Sequence, residues 1–153
     1  MDDAIRIKPH HFIDIVTRVG EGGAFQPHPY GHAVHTVAAR ILADADVMLE
    51  MELGADDICA PCVHNVDGLC DDRIDTSYRP QAPPLKREWN LRIDRRWCDR
   101  LGLRPGERLT ARAFCERLRD RAGDITDIYR EEPPDRTADR ARKLSAGVEE
   151  FLD

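Results

Sequence analysis

The chain has 153 residues and a formal net charge of −6, with 41% hydrophobic and 34% charged residues. This composition suits one globular domain with a sizeable core, spanning residues 1–153. No apolar run approaches the roughly 20 residues of a membrane helix, and the N-terminus lacks the apolar segment of a signal peptide. We therefore predict a protein without membrane segments that resides in the cytoplasm, where thiols stay reduced.

The predicted fold is α+β and mostly helical, with a small β-sheet and a cysteine-rich metal-binding loop. The spacing of apolar residues predicts, in chain order, a strand at 4–8, a helix at 9–20, a helix at 32–43 and a strand at 47–53. Glycines and prolines predict a loop at 20–31 and an irregular segment at 73–88.

The C-terminal part, residues 90–153, is predicted to be helical. Asn90 is the predicted N-cap of its first helix and Thr110 that of its second. Two interpretations of Asp94 stay open: it reaches a buried partner, or it interacts with the helix dipole in the first turn, which is the interpretation we favour. Two further helices are predicted at 124–131 and 135–152, on either side of a pair of prolines.

Basic residues are concentrated in residues 86–121, which we call the arginine-rich segment. It holds 12 basic and 6 acidic side chains, whereas residues 1–85 hold 6 basic and 14 acidic ones. Such a segment attracts anions, but domains that bind nucleic acids are usually more basic overall. We therefore favour a solvated helical surface and do not expect a nucleic-acid partner.

Three of the five cysteines lie in the loop 56–72, which reads D-D-I-C-A-P-C-V-H-N-V-D-G-L-C-D-D. Two residues separate Cys59 from Cys62, and a turn at 67–68 can carry Cys70 back toward them. An odd number of cysteines, three of them close together, favours ligation over disulfides. Thiolates are soft ligands that suit zinc or an iron–sulfur cluster, so the loop predicts a metal centre.

Three thiolates leave a fourth position, for which His10 and His11 at the start of the first helix are the best candidates. Adjacent helical side chains point roughly 100° apart, so one histidine can ligate while the other holds a substrate or a ligand. Asp14 can orient the ring of His10 or ligate directly. Cys98 and Cys115 fall on apolar helix faces and are interpreted as core residues.

The remaining histidines are weaker candidates. His28, His32 and His35 lie near the start of the second helix, and His64 lies in the cysteine loop. Exposed or capping histidines are more common than ligands at such positions.

Three motifs occur together: I-R-I-K-P-H-H near the start, D-D-I-C-A-P-C with a following D-G-x-C, and a later D-x6-L-G-L. Together they resemble domain-of-unknown-function family 1284, over most of residues 5–121 except the loop and the second helix. The resemblance implies iron–sulfur binding, and that the family's motif positions here are His10, His11, Cys59, Cys62, Cys70 and Asp94. Many members carry cysteine in place of Asp14, so a four-cysteine site there becomes a three-cysteine site here.

We therefore predict a small metalloprotein that binds an iron–sulfur cluster, of the 4Fe-4S type, through Cys59, Cys62, Cys70 and a non-cysteine fourth position. An iron without a thiolate can bind a small-molecule substrate as a Lewis acid. The alternative is a structural zinc site of Cys3His type, in a binding module whose partner surface is the arginine-rich segment. A catalytic zinc hydrolase with Glu88 or Asp94 as the base is a third hypothesis, which no spacing selects.

Overall fold

The computed structural model describes residues 3–153, which form a mostly helical α+β fold, as predicted. Its elements are β1 (Ile5–Ile7), α1 (Pro9–Gly20), α2 (Val34–Ala43), β2 (Met48–Met51), β3 (Asn65–Val66), β4 (Leu69–Cys70), α3 (Lys86–Leu101), β5 (Arg108–Thr110), α4 (Ala111–Arg121) and α5 (Pro134–Leu152). None of the helices in this range is long and apolar enough to cross a membrane.

A three-stranded sheet determines where α1 begins. β1 pairs with β2 in parallel and β2 pairs with β5 in antiparallel orientation, which gives the order β1-β2-β5. The register places Ile5 opposite Leu49 and Leu49 opposite Leu109, so three buried apolar side chains form a row across the sheet. β1 ends at Ile7, and the chain passes through Lys8 directly into α1.

Two glycines allow α1 and α5 to pack in direct backbone contact. A Cβ atom on Gly147 would lie 1.9 Å from the backbone oxygen of Val16. A Cβ atom on Gly20 would lie 1.8 Å from the backbone oxygen of Lys143. Gly20 ends α1 as predicted, but the structure shows that its missing side chain also serves the contact between the two helices.

The arginine-rich segment is paired extensively with acidic side chains. Arg96 donates to both carboxylate oxygens of Glu131, at 2.7 and 2.8 Å, and Arg92 donates to the same carboxylate at 3.1 Å. Arg100 donates to Asp127 at 2.6 Å. These pairs join α3 to the turns between α4 and α5, and they neutralise part of the positive charge that could attract a nucleic acid.

The first helix of the C-terminal part begins earlier than predicted. α3 starts at Lys86, four residues before Asn90, which is buried within the helix and does not cap it. The apolar spacing extends toward the N-terminus through Trp89, and the chain before Lys86 is kept extended at Leu85. Asp94 therefore lies in the interior of α3, fully buried, and the prediction that it interacts with the dipole in the first turn is wrong.

Of two other predictions for the C-terminal part, one is confirmed and one is wrong. The side chain of Thr110 accepts a hydrogen bond from the backbone N–H of Ala113 at 3.0 Å, so the predicted cap is confirmed. Residues 124–131 form turns rather than the predicted helix. Their backbone carbonyls accept hydrogen bonds from side chains of α3 instead, including one from Arg96 to Ile128 at 2.8 Å.

Candidate metal centre

The three cysteines of the loop line a single cavity of about 370 Å³. Cys59, Cys62 and Cys70 all contribute to its wall, together with His11 from the first turn of α1 and Lys8 immediately before that helix. None of the cysteines forms a disulfide. The structure therefore brings the three predicted thiol ligands and one of the two predicted histidines to the same cavity.

Two turns build the cysteine loop. The backbone N–H of Cys62 donates to the carbonyl of Cys59 at 2.9 Å, which closes the first turn. β3 and β4 then form a hairpin whose central residues, Asp67 and Gly68, have φ angles of 53° and 82°. Positive φ at both positions is typical of a tight two-residue hairpin. The hairpin returns Cys70 to the cavity, as the sequence of the turn predicts.

Asp56 connects the start of α1 to the cysteine loop. Its buried carboxylate accepts from the backbone N–H of Lys8 and lies against Nδ1 of His11, both at 2.7 Å from Oδ2. Oδ1 accepts from the backbone N–H groups of Ile58 and Cys59 at 3.1 and 3.0 Å. Burial acts to raise the pKa of Asp56, but the interaction with His11 and the backbone donors outweigh it and hold that pKa well below its usual range.

The ring of His11 reaches the cavity with one nitrogen already engaged. Because the ionised carboxylate of Asp56 is only an acceptor, Nδ1 of His11 carries a proton and donates to it. Nε2 is then the nitrogen with the available lone pair. Histidines that ligate metals commonly have a carboxylate partner of this kind, which fixes the orientation of the ring.

His10 makes a separate buried contact. Its Nδ1 lies 2.9 Å from both carboxylate oxygens of Asp94, and its backbone N–H donates to Oδ1 at 2.8 Å. Burial acts to lower the pKa of His10, but the charge of Asp94 outweighs it and raises that pKa. His10 is not part of the cavity wall, although its ring centroid lies 4.4 Å from that of His11.

Asp14 lies away from the cysteines. Its side chain is 51% exposed, and its nearest ion-pair partner is Arg140 at 3.5 Å. The ring of His10 is therefore oriented by Asp94 rather than by Asp14. Asp14 instead lines a second cavity, whose wall also includes His28.

The weaker histidine candidates lie in different places. His64 lines the cysteine cavity, and its Nδ1 lies 2.7 Å from Asp71. His32 lines both the cysteine cavity and the second cavity, and its ring stacks on that of His28 at 4.2 Å. His35 lies in α2 and lines neither of them.

The cysteines of the cavity and those of the hydrophobic core have different neighbours. Nζ of Lys8 lies 3.7 Å from Sγ of Cys59, while burial and the charge of Asp56 raise the pKa of the Cys59 thiol to about 11. Cys98 and Cys115 are buried in the hydrophobic core, as predicted, and burial raises their pKa to about 11 and about 12. Neither core thiol is part of the cavity wall.

The ligand atoms of the site are too far apart to form one compact set. Within residues 3–153, His11, Asp56 and Cys59 are the one group of three whose ligand atoms all lie within 4.8 Å of one another. Cys62 and Cys70 share the cavity without joining such a group. The wall therefore presents one close group of ligands and two more distant thiols.

Comparisons of the chain with protein-family models, with curated proteins and with solved structures give no match. The resemblance in the sequence motifs therefore stays a prediction, and the geometry of the cavity carries the functional argument.

The sequence analysis missed two residues that organise the site, Lys8 and Asp56, and it did not identify His10 as the buried partner of Asp94. Asp56 follows β2 and Lys8 follows β1, and these parallel strands are neighbours in the sheet. Residues that follow adjacent parallel strands at the same end lie close together, which is the signal that could have paired them.

Proposed function

We propose that this protein holds an iron–sulfur cluster in the cysteine cavity, with Cys59, Cys62 and Cys70 as thiolate ligands. His11 lines the same cavity and would be available at the fourth position, which no cysteine fills. When bound, such a cluster supplies an iron that can accept a substrate atom as a Lewis acid. The activity we infer is therefore a reaction on a small molecule that enters this cavity.

The observation that carries this proposal is that three free thiols line one cavity without forming a compact group of ligands. Zinc–thiolate bonds of about 2.3 Å in a tetrahedron place neighbouring sulfurs about 3.8 Å apart. The sulfurs of Cys62 and Cys70 join no group of three ligand atoms within 4.8 Å among the described residues. A cluster distributes its ligands over several iron atoms, so it suits thiols that share a wall without meeting at one point.

The protein's own residues supply a proton acceptor. Nε2 of His11 can take a proton from a bound molecule, while Nδ1 donates to Asp56. The buried carboxylate stabilises the resulting imidazolium and prevents the ring from turning. The four groups that contact Asp56 hold it in place during this exchange.

A single zinc ion is the second candidate, and the group of His11, Asp56 and Cys59 favours it. Nitrogen, oxygen and sulfur ligands all suit zinc. However, both oxygens of Asp56 already accept hydrogen bonds from the backbone or from His11. A metal at this position would compete with those contacts, so we place the zinc site second.

Purification without air, followed by analysis of iron, sulfide and zinc, tests the proposal. We expect a coloured protein with iron and sulfide bound. Each of the substitutions Cys59→Ser, Cys62→Ser and Cys70→Ser should abolish iron binding. Cys98→Ala and Cys115→Ala are matched controls, because these thiols lie in the core. Both controls should keep the iron of the unchanged protein.

Two results would contradict the proposal. A colourless protein with one bound zinc ion would favour the second candidate, particularly if His11→Gln and Cys59→Ser lost that zinc and Cys70→Ser kept it. A protein that binds neither iron nor zinc, even after reconstitution with iron and sulfide, would contradict both the iron–sulfur cluster and the zinc site.

A further inference from the structure

A buried lysine forms part of the wall of the cysteine cavity. Lys8 is only 4% exposed, and its backbone N–H is fixed by the hydrogen bond to Asp56. Its Nζ contacts Sγ of Cys59 at 3.7 Å. Among residues 3–153, no carboxylate oxygen lies within 4.0 Å of this Nζ. Burying an ammonium group is costly unless it faces negative charge, so this position favours anions in the cavity: the thiolate of Cys59 when the cluster is bound, and a bound anion beside it.

The first turn of α3 adds to the positive character of the same wall. Lys86, Arg87 and Asn90 line the cavity together with one acidic residue of the same turn, Glu88, and no side chain caps the start of this helix. The N-terminal end of a helix carries a partial positive charge. The backbone N–H groups of Lys86 and Glu88 already donate to the carbonyls of Asp72 and Leu85, so this end offers charge rather than a set of free donors. Lys86 is partly neutralised by Asp72 at 3.6 Å, whereas Lys8 has no such partner among the described residues.

The rest of the wall indicates what kind of anion fits. Val34, Leu53, Ile58 and Leu91 give the cavity apolar surface, which suits the carbon skeleton of an organic molecule. The ammonium of Lys8 suits one carboxylate, and Lys86 at the start of α3 can accept a second carboxylate of the same molecule. A phosphate is recognised better by the fork of an arginine or by several backbone N–H groups, and the arginine of this wall, Arg87, is exposed.

We propose that the cysteine cavity binds a small organic carboxylate, with its carboxylate on Lys8 and beside the first turn of α3. This inference rests on the proposed function, because it names the substrate class of the same cavity. It places the bound acid next to Cys59, in the cavity that His11 also lines.

Binding of succinate, measured by isothermal titration or by NMR, tests this inference. Succinamide is a neutral analogue of nearly the same shape. We expect succinate to bind and succinamide not to bind. Lys8→Met should weaken succinate binding by about 10-fold or more, the effect of losing a hydrogen bond to a charged group. Lys8→Arg should retain part of the affinity, because it keeps the charge.

Lys143→Met is the matched control, because Lys143 lies on α5 and pairs with Glu21 and Asp139 instead. This variant should bind succinate like the unchanged protein. A thermal unfolding curve for each variant shows whether the change at Lys8 has affected folding. Inorganic phosphate is the competing probe, and tighter binding of phosphate than of succinate would overturn the assignment to carboxylates.

The outcomes separate this inference from the function on which it rests. A protein that contains iron and sulfide but does not bind succinate, or binds it equally well after Lys8→Met, would overturn the inference alone. A protein without iron that still binds succinate through Lys8 would overturn the cluster and support the carboxylate site.

Discussion

Nδ1 of His11 lies 2.7 Å from Oδ2 of Asp56, across 45 residues of chain. This contact joins the start of α1 to the cysteine loop, and the same carboxylate receives three backbone N–H groups. A single buried side chain therefore orients the histidine of the cavity and fixes the first cysteine turn. Its removal should affect both stability and metal binding.

Asp56→Asn should lower the free energy of unfolding by about 3 kcal/mol, because it removes a buried charge that pairs with a histidine and with several donors. The variant should also retain less iron, since the ring of His11 and the turn at Cys59 lose their common anchor. Urea unfolding and iron analysis provide the two measurements. Asp67→Asn is the control in the same loop, because asparagine tolerates the positive φ of that exposed turn.

Alkylation of the metal-free protein should distinguish the thiols of the cavity. Cys62 and Cys70 should react with iodoacetamide before Cys59, whose pKa is raised to about 11 by burial and by the charge of Asp56. Alkylation at pH 8, followed by digestion and mass spectrometry, gives the order in which the thiols react. Faster labelling of Cys59 than of Cys70 would contradict the burial of the Cys59 thiol.

The stability of the protein should depend on pH through Glu131. The hydrogen bond from Arg96 lowers the pKa of this carboxyl to about 2, from an ordinary value of 4.5. Because the folded pKa is depressed, the stabilisation is complete above the unfolded value and is lost as pH falls from about 4.5 toward 2. Glu131→Gln should therefore destabilise the protein at pH 7 by about 2 kcal/mol and reduce the loss of stability across that acidic range.

Thermal unfolding at several pH values measures this effect. Glu149→Gln, an exposed position on α5, should leave the pH profile unchanged. Equal acid sensitivity in Glu131→Gln and in the unchanged protein would contradict the assignment of the pH dependence to this ion pair.

Local sequence signals predicted the elements that local interactions determine. The alternation around Ile5 and Leu49 indicated the strands, and the turn at 67–68 indicated how Cys70 returns. The contact of Lys8 with Asp56 was not predictable in this way, because it depends on two strands that are neighbours only in the folded sheet.

The same limit explains two of the errors in the C-terminal part. The turns at 124–131 depend on arginine side chains of α3, which bind the backbone carbonyls that a helix would use. The role of Asp94 depends on a histidine that lies 84 residues earlier in the chain. Neither relationship leaves a periodic pattern in the sequence, so apolar spacing could not reveal it.

The contact between α1 and α5 gives the last prediction. Alanine normally stabilises a helix by about 1 kcal/mol relative to glycine. At Gly147, however, the added Cβ would lie 1.9 Å from the backbone oxygen of Val16, which cannot move without separating the helices. Gly147→Ala should therefore destabilise the protein by about 3 kcal/mol, as overpacking in a core does.

Ser145→Ala, an exposed position two residues earlier on α5, should have a neutral or slightly stabilising effect. Urea unfolding compares the two variants. Because α1 also carries His11, separation of the helices should disturb the cysteine cavity, and Gly147→Ala should lower iron retention as well as stability. A stable Gly147→Ala protein would show that α1 and α5 do not pack this closely, and that the position of His11 does not depend on this contact.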